Sequence, residues 1–149
     1  MKQIHSVFYN ILSKDQKNEL RKIIVSNNGS VLDEDTFSTT ALIYLIAKIN
    51  LECPAVKTVT LETRPEYVEL EELDVLARSL TEGDIPSSLE LAIGFEAFDE
   101  RIRNDIFKKG LSIDKVERLA RIIERINKRF TKKFMENFEK IKLKTYFVQ

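Results

Sequence analysis

One cysteine, one histidine, three prolines and four glycines in 149 residues leave little material for several kinds of chemistry. A lone thiol, Cys53, excludes an internal disulfide framework, and iron–sulfur ligation requires several thiolates. His5 has no cysteine or histidine partner at ligand spacing, so no metal ligand is read from the sequence. An excess of one charge is also missing. Lysine plus arginine and aspartate plus glutamate each number 24, which removes any long-range pull toward nucleic acid or an anionic membrane. The chain carries neither a signal peptide nor an apolar run long enough to span a bilayer, so a soluble, cytoplasmic protein is expected. A glycine-rich loop near the chain's end, which a phosphate-holding β/α enzyme would use, is absent as well.

What the sequence has is 43% hydrophobic residues, enough for one core and one domain. Three apolar runs of strand character each stop at a polar group. Lys22 to Ser26 runs into Asn27-Asn28-Gly29-Ser30, Val56 to Leu61 into Glu62-Thr63-Arg64-Pro65, and Leu89 to Phe95 into Glu96. A β/α barrel builds its reactive rim where the parallel strands end, so these polar groups are candidates for chemistry.

Between the strands the apolar period changes to that of helices. Ile4, Val7, Phe8, Ile11 and Leu12 predict a helix over the first ~20 residues, followed directly by the first strand. Phe37, Ala41, Leu42, Leu45, Ile46 and Ile49 mark a second helix, and Leu70, Leu73, Leu76, Ala77 and Leu80 a third. Residues 98–108 predict a short helix stopped by Gly110, and Ser112 is a candidate N-cap for a long one toward Phe138. Val116, Leu119, Ile123, Ile126, Phe130 and Phe134 line that helix's buried side, and residues 142–148 close the chain as a fourth strand.

In the third strand Glu90, Ala92, Gly94 and Glu96 share one side, which becomes small near its end and finishes in a carboxylate. An acid in a barrel mouth is costly to bury alone, so Glu96 is expected to meet a ligand or a cation. Other features have plainer readings. Glu62 and Arg64 fit an ordinary solvated pair. Gly29 fits a turn, and Cys53 a small buried hydrophobe. The cluster Lys128, Arg129, Lys132 and Lys133 fits a solvated helix face better than an RNA contact.

The fold class this predicts is α/β, a partial (β/α) barrel with parallel strands in four βα-type units. Closure takes about eight such units and typically ~250 residues. The chain also opens on a helix with no strand before it and finishes on a strand with no covering helix, so it reads as one domain cut from something larger.

Taken in order, the strand-end motifs resemble the radical SAM superfamily over most of the chain from Ile23 to Val148. Val59-Thr60-Leu61-Glu62-Thr63-Arg64-Pro65-Glu66-Tyr67 is similar to the third-strand motif of its elongator-like and methylthiotransferase-like branch. Ala92-Ile93-Gly94-Phe95-Glu96, with Asp99 and Lys109-Gly110, resembles the fourth-strand motif and the helix after it. Asn28-Gly29-Ser30-Val31-Leu32-Asp33 is similar to the glycine turn after the second strand, and Lys144 to Val148 to the fifth strand. Within the superfamily the details lie nearest the radical SAM proteins of archaeosine biosynthesis.

The resemblance implies binding of S-adenosylmethionine against a [4Fe-4S] cluster and its reductive cleavage to a 5′-deoxyadenosyl radical, with a tRNA base as substrate in the nearest branch. It implies that the backbone at Gly29 and Ser30 meets the methionyl amino group. Glu62 would make a further polar contact, Glu96 would face the ribose hydroxyls, and Lys109 would pair with the cofactor's carboxylate. A lysine keeps the charge of the family's usual arginine but not its bidentate fork. The family's Cys-x3-Cys-x2-Cys loop is missing, so the chain supplies no cluster ligands and is expected to be inactive alone. A non-enzymatic interaction module or a degenerate relic that assembles through open sheet edges is the other class the sequence leaves standing.

Overall fold

Each apolar run becomes a strand because its alternation suits a pleated, half-buried surface, and the strands lie side by side in chain order. The computed structural model describes residues 1–80, 87–131 and 140–148. Its helices are α1 (Lys2–Ser6), α2 (Lys14–Glu19), α3 (Thr39–Glu52), α4 (Leu70–Ser79) and α5 (Ile113–Thr131). The strands β1 (Lys22–Val25), β2 (Thr58–Glu62), β3 (Ser88–Glu96) and β4 (Ile141–Phe147) form one sheet of order β1-β2-β3-β4. Every neighbouring pair is parallel. The chain is therefore α/β, an open wall of βα-type units, as its sequence predicts. Among the described residues no helix is long and apolar enough to cross a membrane.

One face of the wall is dry. Val59, Leu61, Leu89, Leu91 and Ile141 are at most 1% exposed and pack with Leu42, Ile46 and Ile49 of α3, Leu73 and Leu76 of α4, and Ile126 of α5. The three helices touch in sequence, α3 on α4 and α4 on α5, so they form one layer over that face. Each buried leucine or isoleucine contributes about 1.5–3 kcal/mol, so this layer holds the strands in register.

The opposite face is polar. Ile24, Thr60, Glu90 and Lys142 share one register row, and Lys22 reaches Glu90 at 2.6 Å while the Thr60 hydroxyl donates to it at 2.9 Å. Burial pushes the Glu90 carboxyl up, but the hydrogen bonds from Lys22 and Thr60 outweigh it and hold the group below the ordinary carboxylate value.

The structure departs from the sequence reading in three places. The predicted first helix breaks at Leu12, where the backbone turns extended, after a π-helical segment over Val7–Ile11. A new helix, α2, starts on a capping box: the Ser13 hydroxyl accepts from Gln16 N–H, and the Gln16 side chain accepts from Ser13 N–H. The helix after β3 is a short π-helical piece, Ile102–Ile106, and its left-handed exit residue is Lys108 (φ 54°), not Gly110. Gly110 makes a second left-handed turn two residues on.

Lys140, fully buried just before β4, is the third departure, since a lysine there carries no sequence signal of burial. Its ammonium donates to the Ser87 carbonyl at 2.7 Å, and burial lowers its pKa to about 8. Along α5, Leu119, Ile126 and Phe130 are buried and Val116 and Ile123 half-buried, as the apolar stripe requires. Phe134, Phe138, Lys132 and Lys133 lie outside the described residues.

Candidate functional site

Three strand ends, with Tyr146 of β4 beside them, line one hollow of about 490 Å³, a volume within the ordinary range for small-molecule sites. It sits at the carboxyl end of the parallel sheet, where the strand polarity exposes the loops.

The turn after β1 forms its first side. Asn27 folds it, accepting from Gly29 N–H at 2.9 Å and donating to the Ser30 carbonyl at 3.2 Å. Val31 N–H then donates to the Glu62 carbonyl, which fixes this turn against the end of β2. Gly29 has no positive φ, and a Cβ built on it would meet nothing nearer than Asn27 Oδ1 at 4.0 Å. Neither backbone strain nor packing requires that glycine, and its open side faces the hollow.

β2 supplies the second side. Glu62 is half-buried, lines the hollow and makes no side-chain hydrogen bond or ion pair among the described residues. Thr63 turns inward, where its hydroxyl meets Ser30 Oγ at 2.6 Å. Arg64 pairs with Glu66 at 2.6 Å and donates to the Lys109 carbonyl at 3.0 Å, tying the second side to the third.

β3 ends in a strained turn. Glu96 has φ 65°, and Ala97 N–H donates to the Phe95 carbonyl at 2.8 Å, which closes the positive-φ form of a γ-turn centred on Glu96. The ladder to β4 shifts register between Gly94 and Glu96. The carboxylate so presented meets Lys109 Nζ at 2.7 Å. Both groups crowd over Gly94, where a Cβ would fall 2.6 Å from Glu96 Oε1 and 3.1 Å from Lys109 Nζ.

Of the five residues singled out in the sequence, Gly29, Glu62 and Lys109 line the hollow, and Glu96 is held against Lys109. Ser30 is not brought to it. That residue is 1% exposed, and its carbonyl is engaged by the side chains of Asn27 and Thr36. Arg64 and Glu66 belong to the lining although the sequence reads Arg64 as an ordinary surface charge; its place in a motif with Pro65 was the signal available. Arg103, buried behind the third side, had none.

The lining carries Glu62 and Glu66 beside Arg64, Lys108 and Lys109. Mixed charge of this kind suits a ligand that bears both signs better than a simple anion. An iron–sulfur cluster does not fit the chain. Cys53 follows α3 and precedes β2, so it lies at the amino end of the sheet; it is 3% exposed, and burial pushes its thiol up.

The basic residues of α5 are largely paired. Arg118 grips both oxygens of Glu69 at 2.7 Å, Arg129 meets Asp74, and Arg121 and Lys128 pair with Glu117 and Glu124 one turn back. They make a solvated, salt-bridged face.

The wall of parallel strands with a polar rim defines a β/α protein with its candidate site at the strand ends. No protein-family model matches the chain, and no solved structure matches it. Over 114 residues it is 30% identical to an uncharacterized protein of Methanocaldococcus jannaschii, MJ0550. That match takes in 76% of this chain but spans only 29% of the length of the relative.

Proposed function

We propose that the chain is part of a radical SAM core and binds S-adenosylmethionine at the hollow between the ends of β1, β2 and β3. The observation that carries this reading is the gathering of Gly29, Glu62 and the Glu96–Lys109 pair around one site of mixed charge. Lys109 has three N–H donors, so it can hold Glu96 and a ligand carboxylate together. Glu96 then orients ribose hydroxyls as an acceptor, and Glu62, which has no partner among the described residues, offers a second acceptor to the ligand's cationic part. Gly29 leaves room for close approach. Ser30 supports the turn from beneath rather than touching the ligand.

Beside a [4Fe-4S] cluster held outside this chain, S-adenosylmethionine would supply a 5′-deoxyadenosyl radical, with one electron from the cluster breaking the C5′–S bond and methionine leaving. This chain's residues bind and orient the cofactor only, and the cluster's thiolates would have to come from outside these 149 residues, so the chain by itself is inactive. A tRNA base as substrate follows from the resemblance alone, and the paired basic face of α5 does nothing to favour it.

Calorimetry with S-adenosylmethionine tests the site. Saturable binding by the native chain is expected, with losses of about tenfold or more in Glu96→Ala and in Glu62→Gln, the size expected for one charge-assisted contact. No heat with the native chain, or equal affinities in all three, overturns the reading.

A second reading rests on the β4 edge. Among the described residues β4 pairs only with β3, and Leu143, Tyr146, Phe147 and Val148 stand exposed along it. An interaction module that assembles through this edge would appear as an oligomer in sedimentation equilibrium and would bind no S-adenosylmethionine.

A further inference from the structure

Arg103 is fully buried, yet its guanidinium meets no carboxylate among the described residues. A buried cation without a counter-ion is costly unless fixed dipoles replace its water. Here the dipoles are backbone carbonyls. Nε donates to Leu111 at 2.9 Å, and Nη1 donates to Ala97 and Phe98 at 3.1 and 3.0 Å. The Phe95 ring covers the guanidinium at 4.6 Å, while Nη2 makes no hydrogen bond.

Those carbonyls come from the two ends of one connection. Ala97 directly follows Glu96, and Leu111 lies just beyond Lys109. The carbonyl of Arg103 itself accepts from Lys109 N–H at 3.2 Å, and Asn104 exchanges two hydrogen bonds with Leu111. A single side chain therefore ties the exit of β3 to the approach of α5. Of the two left-handed residues other than glycine among the described residues, Lys108 lies between these ties and Glu96 directly precedes the first of them. Such backbone persists only where its surroundings over-determine it. The guanidinium supplies that constraint at both ends.

We propose that Arg103 is the positioning residue of this site: without lining the hollow, it clamps the 97–111 connection so that Glu96 and Lys109 face each other, and ligand binding through that pair depends on the charge buried behind it. The ligand arm rests on the S-adenosylmethionine reading above; the clamp does not.

Amide hydrogen exchange followed by NMR separates the two. In Arg103→Met the amides of Ala97, Lys109 and Leu111 should exchange about tenfold faster or more, the loss of a charge-assisted contact, while β2 amides keep their protection. Arg103→Lys, which keeps the charge and is the milder change should the methionine variant fold poorly, should fall between Arg103→Met and the native chain. Unchanged protection in the connection, or an equal loosening of β2, overturns the clamp.

Calorimetry with S-adenosylmethionine then tests the coupling. Arg103→Met should weaken binding, and adding it to Lys109→Met should cause no further loss, because Arg103 acts through the pair that Lys109 completes. Fully additive losses mean an independent structural effect and overturn the positioning role. A native chain that shows no heat sinks the S-adenosylmethionine reading, and the exchange result still decides the clamp.

Discussion

Glu96 Oε1 and Lys109 Nζ meet at 2.7 Å directly over Gly94, thirteen residues from one member of the pair to the other along the chain. The pair and the glycine exclude one another's alternatives. An alanine methyl at position 94 would stand 2.6 Å from the carboxylate oxygen and 3.1 Å from the ammonium. Both are far ends of flexible side chains, so they can swing away at small cost. Gly94→Ala is therefore expected to leave stability within about 1 kcal/mol of the native chain in urea unfolding, as a surface change would, while S-adenosylmethionine binding is lost. A variant that binds as tightly as the native chain would show that the pair is not the contact.

The φ of 65° at Glu96 makes a second, opposite prediction for stability and binding. Left-handed backbone at a residue with a Cβ costs about 1–2 kcal/mol, whereas glycine takes it freely but adds chain entropy on unfolding worth about 0.5–1 kcal/mol. Glu96→Gly should accordingly unfold at the same or a higher urea concentration than the native protein and fail to bind. Glu96→Val, β-branched and unsuited to positive φ, should unfold earlier. Equal midpoints for the glycine and valine variants would mean the turn carries no strain.

Much of the wall was legible because its signals are local. Alternation of apolar residues marks β2 and β3 to within two residues, and the helical stripe of Leu42, Leu45, Ile46 and Ile49 buries as its spacing requires. The polar strand ends were legible for the same reason: Gly29, Glu62 and Glu96 each follow an apolar run. Contacts made across the fold were not. Nothing local joins Glu96 to Lys109, or announces that Arg103, in a run of exposed charges, turns inward to collect carbonyls. The burial of Ser30 was not legible either, because adjacency to Gly29 says nothing of facing. Its hydroxyl turns inward to Thr63. Lys108 misled because glycine is the usual left-handed exit residue, and here a lysine takes that place two residues earlier.

The break between α1 and α2 was readable and is open to a simple measurement. Ser13-Lys14-Asp15-Gln16 has the spacing of a capping box, and both of its hydrogen bonds are present, at 3.2 and 2.9 Å. Ser13→Ala should cost about 1 kcal/mol in urea unfolding. Because α2 places Lys17 on Glu52 at 2.8 Å, the same change should also loosen that ion pair. No change in midpoint would mean that α2 contributes nothing to the cooperative unit.

Acid titration should reveal a conflict at the start of α3. The Thr39 hydroxyl lies 2.7 Å from Glu34 and 2.6 Å from Glu72, yet it has one proton to donate to two carboxylates. Burial raises the pKa of Glu72, the hydrogen bond from Thr39 opposes this, and the nearby charges of Glu34 and Glu69 push the same way as burial. A carboxyl whose pKa is raised on folding binds its proton more tightly in the native state than in the unfolded chain. Its contribution to stability is complete below the ordinary carboxylate value and is lost as pH rises through the raised one. Replacing the acid by its amide keeps a polar group and removes the charge. Glu72→Gln should therefore be more stable than the native protein at neutral pH, and the difference should shrink as pH falls below the ordinary carboxylate range. Thermal unfolding of both proteins between pH 3 and pH 8 is the check. A difference that stays constant, or grows toward acid, would place the buried proton on another group.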